Sequence, residues 1–449
     1  MVSSNSMRPS VKAVYRGVLP LQTIVARKEQ QLLWPAFLFG LFVFLTAALP
    51  SPVETVLALA FLFFPMTVWA SSKQKMPAEI VRFTGPLFLI ALVGMFSFTG
   101  HKAYDVVKDV WYILNPALAL VTGYVLMLNL KELDRLFRVF IITATLIALF
   151  HLLRIAMHPE LLSKTATDIR SGVGTGFLAP VLAVALFLVA RKMKVRLFKQ
   201  HTWFAYLALC ICSVSTIMTF SRFMEASLII ICMCVMGWIN FDNRKRVLLF
   251  IALVVTVIGV GMALPPRQTV ESHPSLPDKV LNSFQELKIK ETYNMQEINT
   301  NWRGFETSRA FITYERGTFP EYLVGQGLGS TIDLGLYMKL GDEPIRFAPI
   351  LHNGYMYLLV KTGIVGVFIY LFLLFRMGRA GVLLSRSEHI DRKYSGRLIL
   401  GLTLAIVAST LVVSGMFNKS AILSALLLIG ALFAYERVSE QKILKQGRE

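Results

Sequence analysis

One histidine and a few arginines are the residues of this chain whose types and positions could support chemistry. His352 stands where a long polar segment, residues 265–350, gives way to an apolar run. An imidazole with its ordinary pKa of about 6.5 can act as an uncharged base near neutral pH. The same histidine is also compatible with a plain role as the polar first residue of a membrane helix.

Four arginines could accompany His352 as anion-binding groups, namely Arg170, Arg222, Arg303 and Arg309. A guanidinium binds phosphate oxygens through two parallel hydrogen bonds, and at membrane depth it is costly without a partner. Anchoring to lipid phosphate at the interface is the alternative, and it fits Arg170 and Arg309 as well as ligand binding does.

Several kinds of catalytic motif do not occur. The segments that we predict to lie outside contain no D-x-D pair, no H-E-x-x-H and no His/Cys cluster with metal spacing, and no nucleotide fingerprint occurs anywhere. We therefore expect neither metal nor cofactor. One base with several arginines suits attack by an acceptor hydroxyl while guanidinium neutralises an anionic leaving group. A lipid pyrophosphate would supply that leaving group where nucleotides are not available.

The elements that must position these residues are membrane helices. Of 449 residues, 55% are hydrophobic and 16% are charged, and the mean hydropathy is +0.59. Apolar runs of about 18 residues or more recur, each long enough to cross a bilayer. We predict an all-α polytopic membrane protein with about twelve transmembrane helices, at residues 33–50, 53–71, 84–100, 109–130, 136–157, 173–190, 203–220, 224–241, 247–264, 351–375, 397–416 and 420–436.

Basic residues alternate from one connecting segment to the next. With the N-terminus inside, the short outside segments hold few cations: Lys102, Lys108, Lys164, Arg170, Arg222 and Lys419. The positive-inside rule then places both termini in the cytoplasm and residues 265–350 in the periplasm. It also accounts for the net charge of +19 without nucleic acid. Because the first apolar run is long enough to stay in the membrane, we expect no cleaved signal peptide.

The domain organisation follows from these spans. We expect a cytoplasmic tail (1–32), nine helices (33–264), a periplasmic loop (265–350), three helices (351–436) and a second tail (437–449). Aromatic residues spaced as on an amphipathic helix over about 300–316 predict that the loop forms a small, mostly helical cap. The four cysteines all lie in apolar runs, which favours helix packing over metal or redox chemistry: Cys210, Cys212, Cys232 and Cys234.

Two glycines follow His352 on its predicted helix. Gly363 and Gly366 would lie within about 20° and 40° of the His352 face. Small residues there would let another helix approach closely. Lys361 would point to the opposite face, and we do not expect it to be a partner of His352.

The pattern His352-Asn353 followed by Gly363-x-x-Gly366 resembles the signature of bacterial O-antigen ligases, within the wider O-antigen ligase/polymerase group. The resemblance extends over essentially the whole chain through the predicted topology of twelve helices with one large periplasmic loop. Further matching segments are Arg303 followed by Gly325-Gln326-Gly327-Leu328-Gly329, Phe220-Ser221-Arg222, and Arg170-Ser171-Gly172.

The resemblance implies a multi-pass glycosyltransferase of the bacterial inner membrane. It would transfer O-antigen from undecaprenyl pyrophosphate to a sugar hydroxyl of lipid A–core on the periplasmic face, with inversion and without metal. By the same resemblance, His352 would be the general base, and Arg222 and Arg303 would hold the pyrophosphate. Arg170, Arg309 and Asn353 are further candidates for substrate binding.

Three other functions remain open. An O-antigen polymerase would share the donor, although polymerases tend to have two substantial periplasmic loops. A protein O-oligosaccharyltransferase is the second, although some of these carry an acidic residue where Lys361 stands. A transporter of anionic lipid-linked glycans is the third; against it, the sequence shows no pair of interrupted helices and no acidic residue placed for ion coupling.

Overall fold

The protein is largely helical in the part of the chain that the structure describes. This computed structural model describes residues 21–48, 77–97, 100–163, 178–195, 202–239, 293–340, 343–417 and 422–446, with short pieces at 61–62, 64–66, 68–69, 169, 197–198, 241, 248–249, 252, 256 and 289–290. The helices before the cap are α1 (Leu21–Ala48), α2 (Ala78–Gly94), α3 (Ala103–Leu130), α4 (Leu133–Met157), α5 (Leu178–Lys192), α6 (Thr202–Met218) and α7 (Arg222–Met236), with a short 3-10 helix at Pro159–Ser163. The cap comprises α8 (Met295–Thr300), α9 (Trp302–Glu315), α10 (Phe319–Val324), β1 (Ile332–Leu340) and β2 (Glu343–Ala348), and is followed by α11 (Gly354–Ser385), α12 (Ile390–Val412) and α13 (Leu423–Gln446).

These helices overlap every predicted span except 53–71 and 247–264, which lie largely outside the described residues. Helix α1 begins at Leu21, so part of the predicted tail is helical. Among the described helices, α3, α4, α11 and α12 are long and apolar enough to cross a membrane. The protein is therefore a helical membrane protein, and the number of twelve spans stays a prediction.

Helix α13 lies at the centre of the bundle. Its residues from Leu426 to Ala434 are almost fully buried, as expected for a helix that is apolar on all sides. Helix α3 crosses it closely, because a Cβ at Gly123 would lie 2.0 Å from Leu427 O and one at Gly430 would lie 2.1 Å from Leu120 O. Small residues of this kind let membrane helices pack where lipid is as apolar as the side chains.

Helix α12 packs between α7 and α11. A Cβ on Gly401 would lie 2.9 Å from Ile231 Cα of α7, and Arg397 Nη1 donates to Val235 O at 3.2 Å. On the α11 side, a Cβ on Gly381 would lie 2.8 Å from Leu400 N. Both neighbours therefore run antiparallel to α12, and their ends are fixed relative to it.

The cap, residues 293–350, contains the predicted amphipathic helix as α9, but it is not mostly helical: under half of its described residues are in helices, and it contains a β-hairpin that we did not predict. Strands β1 and β2 pair antiparallel, with Ile332 opposite Ala348. Alternating apolar residues in Ile332-Asp333-Leu334-Gly335-Leu336 are the strand signal that the sequence carried. The cap has its own small core, formed by Ile298, Phe305, Leu334 and Ala348.

An ion pair on the surface of the cap joins the two strands. Arg346 Nε and Nη2 donate to the two Asp333 oxygens at 2.9 and 3.1 Å. This hydrogen bonding from Arg346, together with the Gly335 N–H, lowers the pKa of the Asp333 carboxyl to about 2. The carboxylate is therefore charged at neutral pH and holds the hairpin register.

Candidate functional site

The start of α11 is held at a fixed place by a helix cap and by the end of α12. Asn353 is the N-cap, and its Oδ1 accepts the Tyr355 and Met356 N–H groups at 3.1 and 3.2 Å. The Ser414 N–H, just beyond α12, donates to His352 O at 2.6 Å. A Cβ on Gly354 would lie 2.7 Å from Ser414 O. The His352 backbone therefore rests on the end of α12.

A buried carboxylate from the cap orients the His352 ring. Glu306, on α9, lies 2.9 Å from His352 Nδ1 through Oε2, and the His352 backbone N–H donates to the same oxygen at 3.2 Å. The Glu306 side chain is 4% exposed, whereas that of His352 is 42% exposed. A carboxylate in its ionised form only accepts hydrogen bonds, so this contact favours the tautomer with the proton on Nδ1 and with Nε2 as the basic nitrogen.

One face of α9 is turned toward the His352-Asn353 pair. Thr307 Oγ1 lies 3.5 Å from Asn353 Nδ2, directly after the Glu306 contact. Arg303 precedes Glu306 and Thr307 by three and four residues, and such residues are neighbours on a helix surface. The structure therefore brings His352, Asn353 and Arg303 into one region, with Arg303 about one turn from the carboxylate that holds His352.

Arg222 comes to the same level of the bundle as His352, but from another side. Ile231 of α7 contacts Gly401 of α12. Because the two helices are antiparallel, Arg222, nine residues before Ile231, lies at about the same height as Thr410, nine residues after Gly401. The Thr410 methyl lies 2.9 Å from where a Gly354 Cβ would be. Since Gly401 and Thr410 are about 180° apart around α12, that helix separates Arg222 from the start of α11.

Arg309 occupies a different part of the cap. Arg309 points to the hairpin, where its Nε donates to Asp333 O at 3.0 Å and its guanidinium covers Gly335. Gly335 has φ +78°, and a side chain there would meet the guanidinium. Arg309 thus helps to join α9 to β1 and is not beside His352. Arg170 lies outside the described residues.

The expectation for the glycines after His352 is wrong in its geometry. Helix α11 bends sharply at Gly363, which has φ +61° and ψ −167°. The rings of Tyr355 and Tyr370 are 5.9 Å apart, whereas a straight helix would separate them by about 22 Å. The close neighbours at Gly363 are the end of the short cap helix α10 and the residue after it, because a Cβ there would lie 2.3 Å from Leu323 O and 2.6 Å from Gly325 N.

Sequence reasoning missed the carboxylates of this region. Glu306 could have been found from its spacing to Arg303 on a predicted amphipathic helix. Asp109 and Lys361 are each a charged residue inside an apolar run, which in a membrane protein indicates a buried partner. Lys361 is not a partner of His352, as expected, but it is fully buried against Asp109.

No group of three or more His, Cys, Asp or Glu side chains is placed to hold a metal ion within the described part of the chain. Metal independence stays a prediction to be tested with a chelator. No protein-family model matches the chain, and no curated protein matches it.

Proposed function

We propose that this protein is a glycosyltransferase of the O-antigen ligase type. It takes O-antigen from undecaprenyl pyrophosphate and attaches it to a sugar hydroxyl of lipid A–core on the periplasmic face of the bacterial inner membrane. The observation that carries the proposal is the buried Glu306 carboxylate on Nδ1 of a part-exposed His352. Such a pair fixes the tautomer of a general base and stabilises the imidazolium that forms.

The proposed reaction is a single displacement. His352 Nε2 takes the proton of the acceptor hydroxyl as its oxygen bonds to the anomeric carbon of the donor sugar. The bond from that carbon to the pyrophosphate oxygen breaks, and undecaprenyl pyrophosphate leaves with the electron pair. Attack opposite to the leaving group inverts the anomeric configuration.

The arginines supply positive charge for the leaving group. Arg303 is on the α9 face that contacts His352-Asn353, so its guanidinium is the nearer candidate for the pyrophosphate. Arg222 is level with the site, but α12 lies between them, so its part in binding the pyrophosphate rests on the family resemblance alone. Guanidinium groups placed where charge develops can stabilise a transition state without metal. Asn353, as the N-cap, positions His352 instead of offering a free amide oxygen.

The alternatives differ in acceptor or in chemistry. A polymerase would use a second lipid-linked glycan, and a protein O-oligosaccharyltransferase would use a Ser or Thr side chain. Two observations bear on the transporter alternative: Asp109 is a buried carboxylate, and α11 is a single interrupted helix, whereas the expectation concerned a pair. Asp109 is hydrogen-bonded by three groups, however, which favours a structural role over ion coupling.

One reconstituted assay separates these functions. The purified protein is supplied with undecaprenyl-pyrophosphate-linked glycan and, in parallel reactions, with lipid A–core, with no acceptor, or with an acceptor peptide, all with EDTA. A ligase forms glycosylated lipid A–core and undecaprenyl pyrophosphate in equal amounts. Lengthening of the lipid-linked glycan without an acceptor would instead identify a polymerase. Vesicle flux of intact donor without any transfer would identify a transporter.

A further inference from the structure

The bend at Gly363 divides α11 into a short N-terminal segment and a long second part. Because of the bend at Gly363, the segment Gly354–Thr362 is not aligned by continuation of the long second part. His352 stands just before this segment. Its direction therefore depends on the side contacts that the segment makes with other elements.

A cap loop fills the bend. The Gln326 N–H donates to Val360 O at 2.8 Å, replacing a helical bond that the bend removes. A Cβ on Gly325 would lie 2.4 Å from Thr362 N, and Gly325 has φ +80°. The Leu328 N–H donates to Gly94 O at 2.9 Å, at the end of α2. Non-helical backbone of this kind is tolerated in a membrane protein where it is buried in protein.

One carboxylate joins this loop, α3 and the N-terminal segment of α11. Asp109 accepts the Tyr357 hydroxyl at 2.7 Å, Lys361 Nζ at 2.5 Å and the Gly329 N–H at 2.7 Å. Lys361 Nζ also donates to Ser330 O at 2.6 Å. The Lys361 and Asp109 side chains are 0% and 2% exposed.

This arrangement fixes the rotation of the segment about its own axis. Tyr357 and Lys361 are four residues apart and thus on one helix face, and Asp109 binds both. Turning the segment would break both contacts and leave a buried charge without its partner, which is costly. The same turn would move His352 away from Glu306.

We propose that Asp109 and Lys361 are positioning residues that hold His352 in line with Glu306, by locking the bent segment of α11 to α3 and to the inserted cap loop. The proposal assigns them a role in turnover and therefore rests on the proposed glycosyl transfer. Neither side chain is expected to touch substrate. The competing possibility is that the pair only stabilises the fold.

The first readout does not depend on activity. In a protein with its four cysteines replaced, Thr307→Cys and Asn353→Cys are introduced and treated with a short bifunctional thiol reagent. We expect efficient crosslinking, because the native side-chain atoms are 3.5 Å apart. Adding Asp109→Leu with Lys361→Met removes both charges together, which often preserves folding. We expect that protein to elute as a folded species with a crosslinking yield several-fold lower.

The second readout is turnover by the Asp109→Leu/Lys361→Met variant, called the charge-free pair, with the native Thr307 and Asn353. Because a displacement of about 1 Å can cost about 100-fold in rate, we expect kcat to fall by about that factor with little change in KM. Thr403→Val is the matched control, since it removes a buried hydroxyl bonded within α12 and should change neither readout. Folded protein with native crosslinking and native kcat would overturn the proposal.

Two outcomes keep the inference separate from the proposed function. If the native protein transfers no glycan, the proposed function fails, while the crosslinking yields still decide whether the pair aligns the site. If the charge-free pair does not fold, Tyr357→Phe removes one contact to Asp109 and leaves the ion pair. A smaller fall in crosslinking is then expected, and an unchanged yield with unchanged kcat would overturn the proposal.

Discussion

Two histidine–glutamate pairs in this protein have similar contact distances and very different settings. His158 Nδ1 lies 3.2 Å from Glu160, just after α4, and the two side chains are 54% and 60% exposed. His352 Nδ1 lies 2.9 Å from Glu306, whose side chain is 4% exposed. The first pair joins residues two apart, whereas the second joins the cap to the start of α11.

The difference shows what makes a histidine a candidate base. An exposed pair gains little, because water and salt screen it and both side chains move. A buried carboxylate bonded to both the ring and the backbone of His352 fixes the ring direction and the tautomer. The burial of the carboxylate, more than the contact distance, distinguishes His352 from His158.

The largest expected difference follows from removing each ring. In cells, His352→Ala should abolish the ladder of glycan-bearing lipid A–core on electrophoresis gels, while lipid-linked glycan accumulates. The reason is that general-base catalysis contributes about 10²–10⁴-fold to the reaction rate. His158→Ala is the matched control and should leave the ladders unchanged. Membrane insertion is checked by immunoblotting, and normal ladders in an inserted His352→Ala protein would remove the base assignment.

Replacing each carboxylate tests whether burial of Glu306 matters for activity. Glu306→Gln keeps the shape of the side chain, but its amide N–H can donate to Nδ1 and leave the imidazole proton on Nε2. We therefore expect about a 100-fold loss in rate. Glu160→Gln should change nothing. Rates are measured with purified protein and saturating donor. Equal rates for the two variants would mean that burial of Glu306 has no catalytic consequence.

The arginines should show a smaller effect. Arg303→Lys and Arg222→Lys keep the charge but lose paired hydrogen bonding, so each should reduce kcat/KM about tenfold. Arg346→Lys is the control, since Arg346 is also in a two-bond pair with a carboxylate but lies on the cap surface. Full activity in both site variants would exclude a pyrophosphate role.

Asn353 can be tested as a helix cap. Asn353→Ala should lower stability by about 1 kcal/mol and reduce activity, whereas Asn353→Ser should keep most of both, because serine also caps helices well. Thermal unfolding and transfer rates are measured together. If the serine variant were stable but inactive, the amide would have a direct role with substrate.

The surface pair Asp333–Arg346 should matter least and should not affect activity near neutral pH. The pKa of the Asp333 carboxyl is lowered from 3.8 to about 2 in the folded protein. The contribution of the pair to folding stability is therefore present above about pH 4 and is lost as the pH falls toward 2. Asp333→Asn should therefore lower the unfolding temperature by the same small amount at about pH 8 and pH 5. A difference that grew between these values would contradict the assignment.

Apolar run lengths predicted the membrane helices, because crossing a bilayer requires a long apolar segment whatever its neighbours. The start of α11 at His352-Asn353 and the amphipathic α9 were also predicted from local patterns. Glu306 and Asp109 were not, because their partners are distant in sequence and only packing brings them together. The bend at Gly363 was missed, since it depends on a cap loop that replaces the lost helical contacts.

The most direct measurement is single-turnover transfer to lipid A–core by purified protein, comparing native protein with His352→Ala and His158→Ala at equal donor binding. We expect His352→Ala to bind donor normally but to form product at least about 100-fold more slowly, while His158→Ala matches the native protein. Equal rates for all three proteins would contradict the claim that His352 is the base.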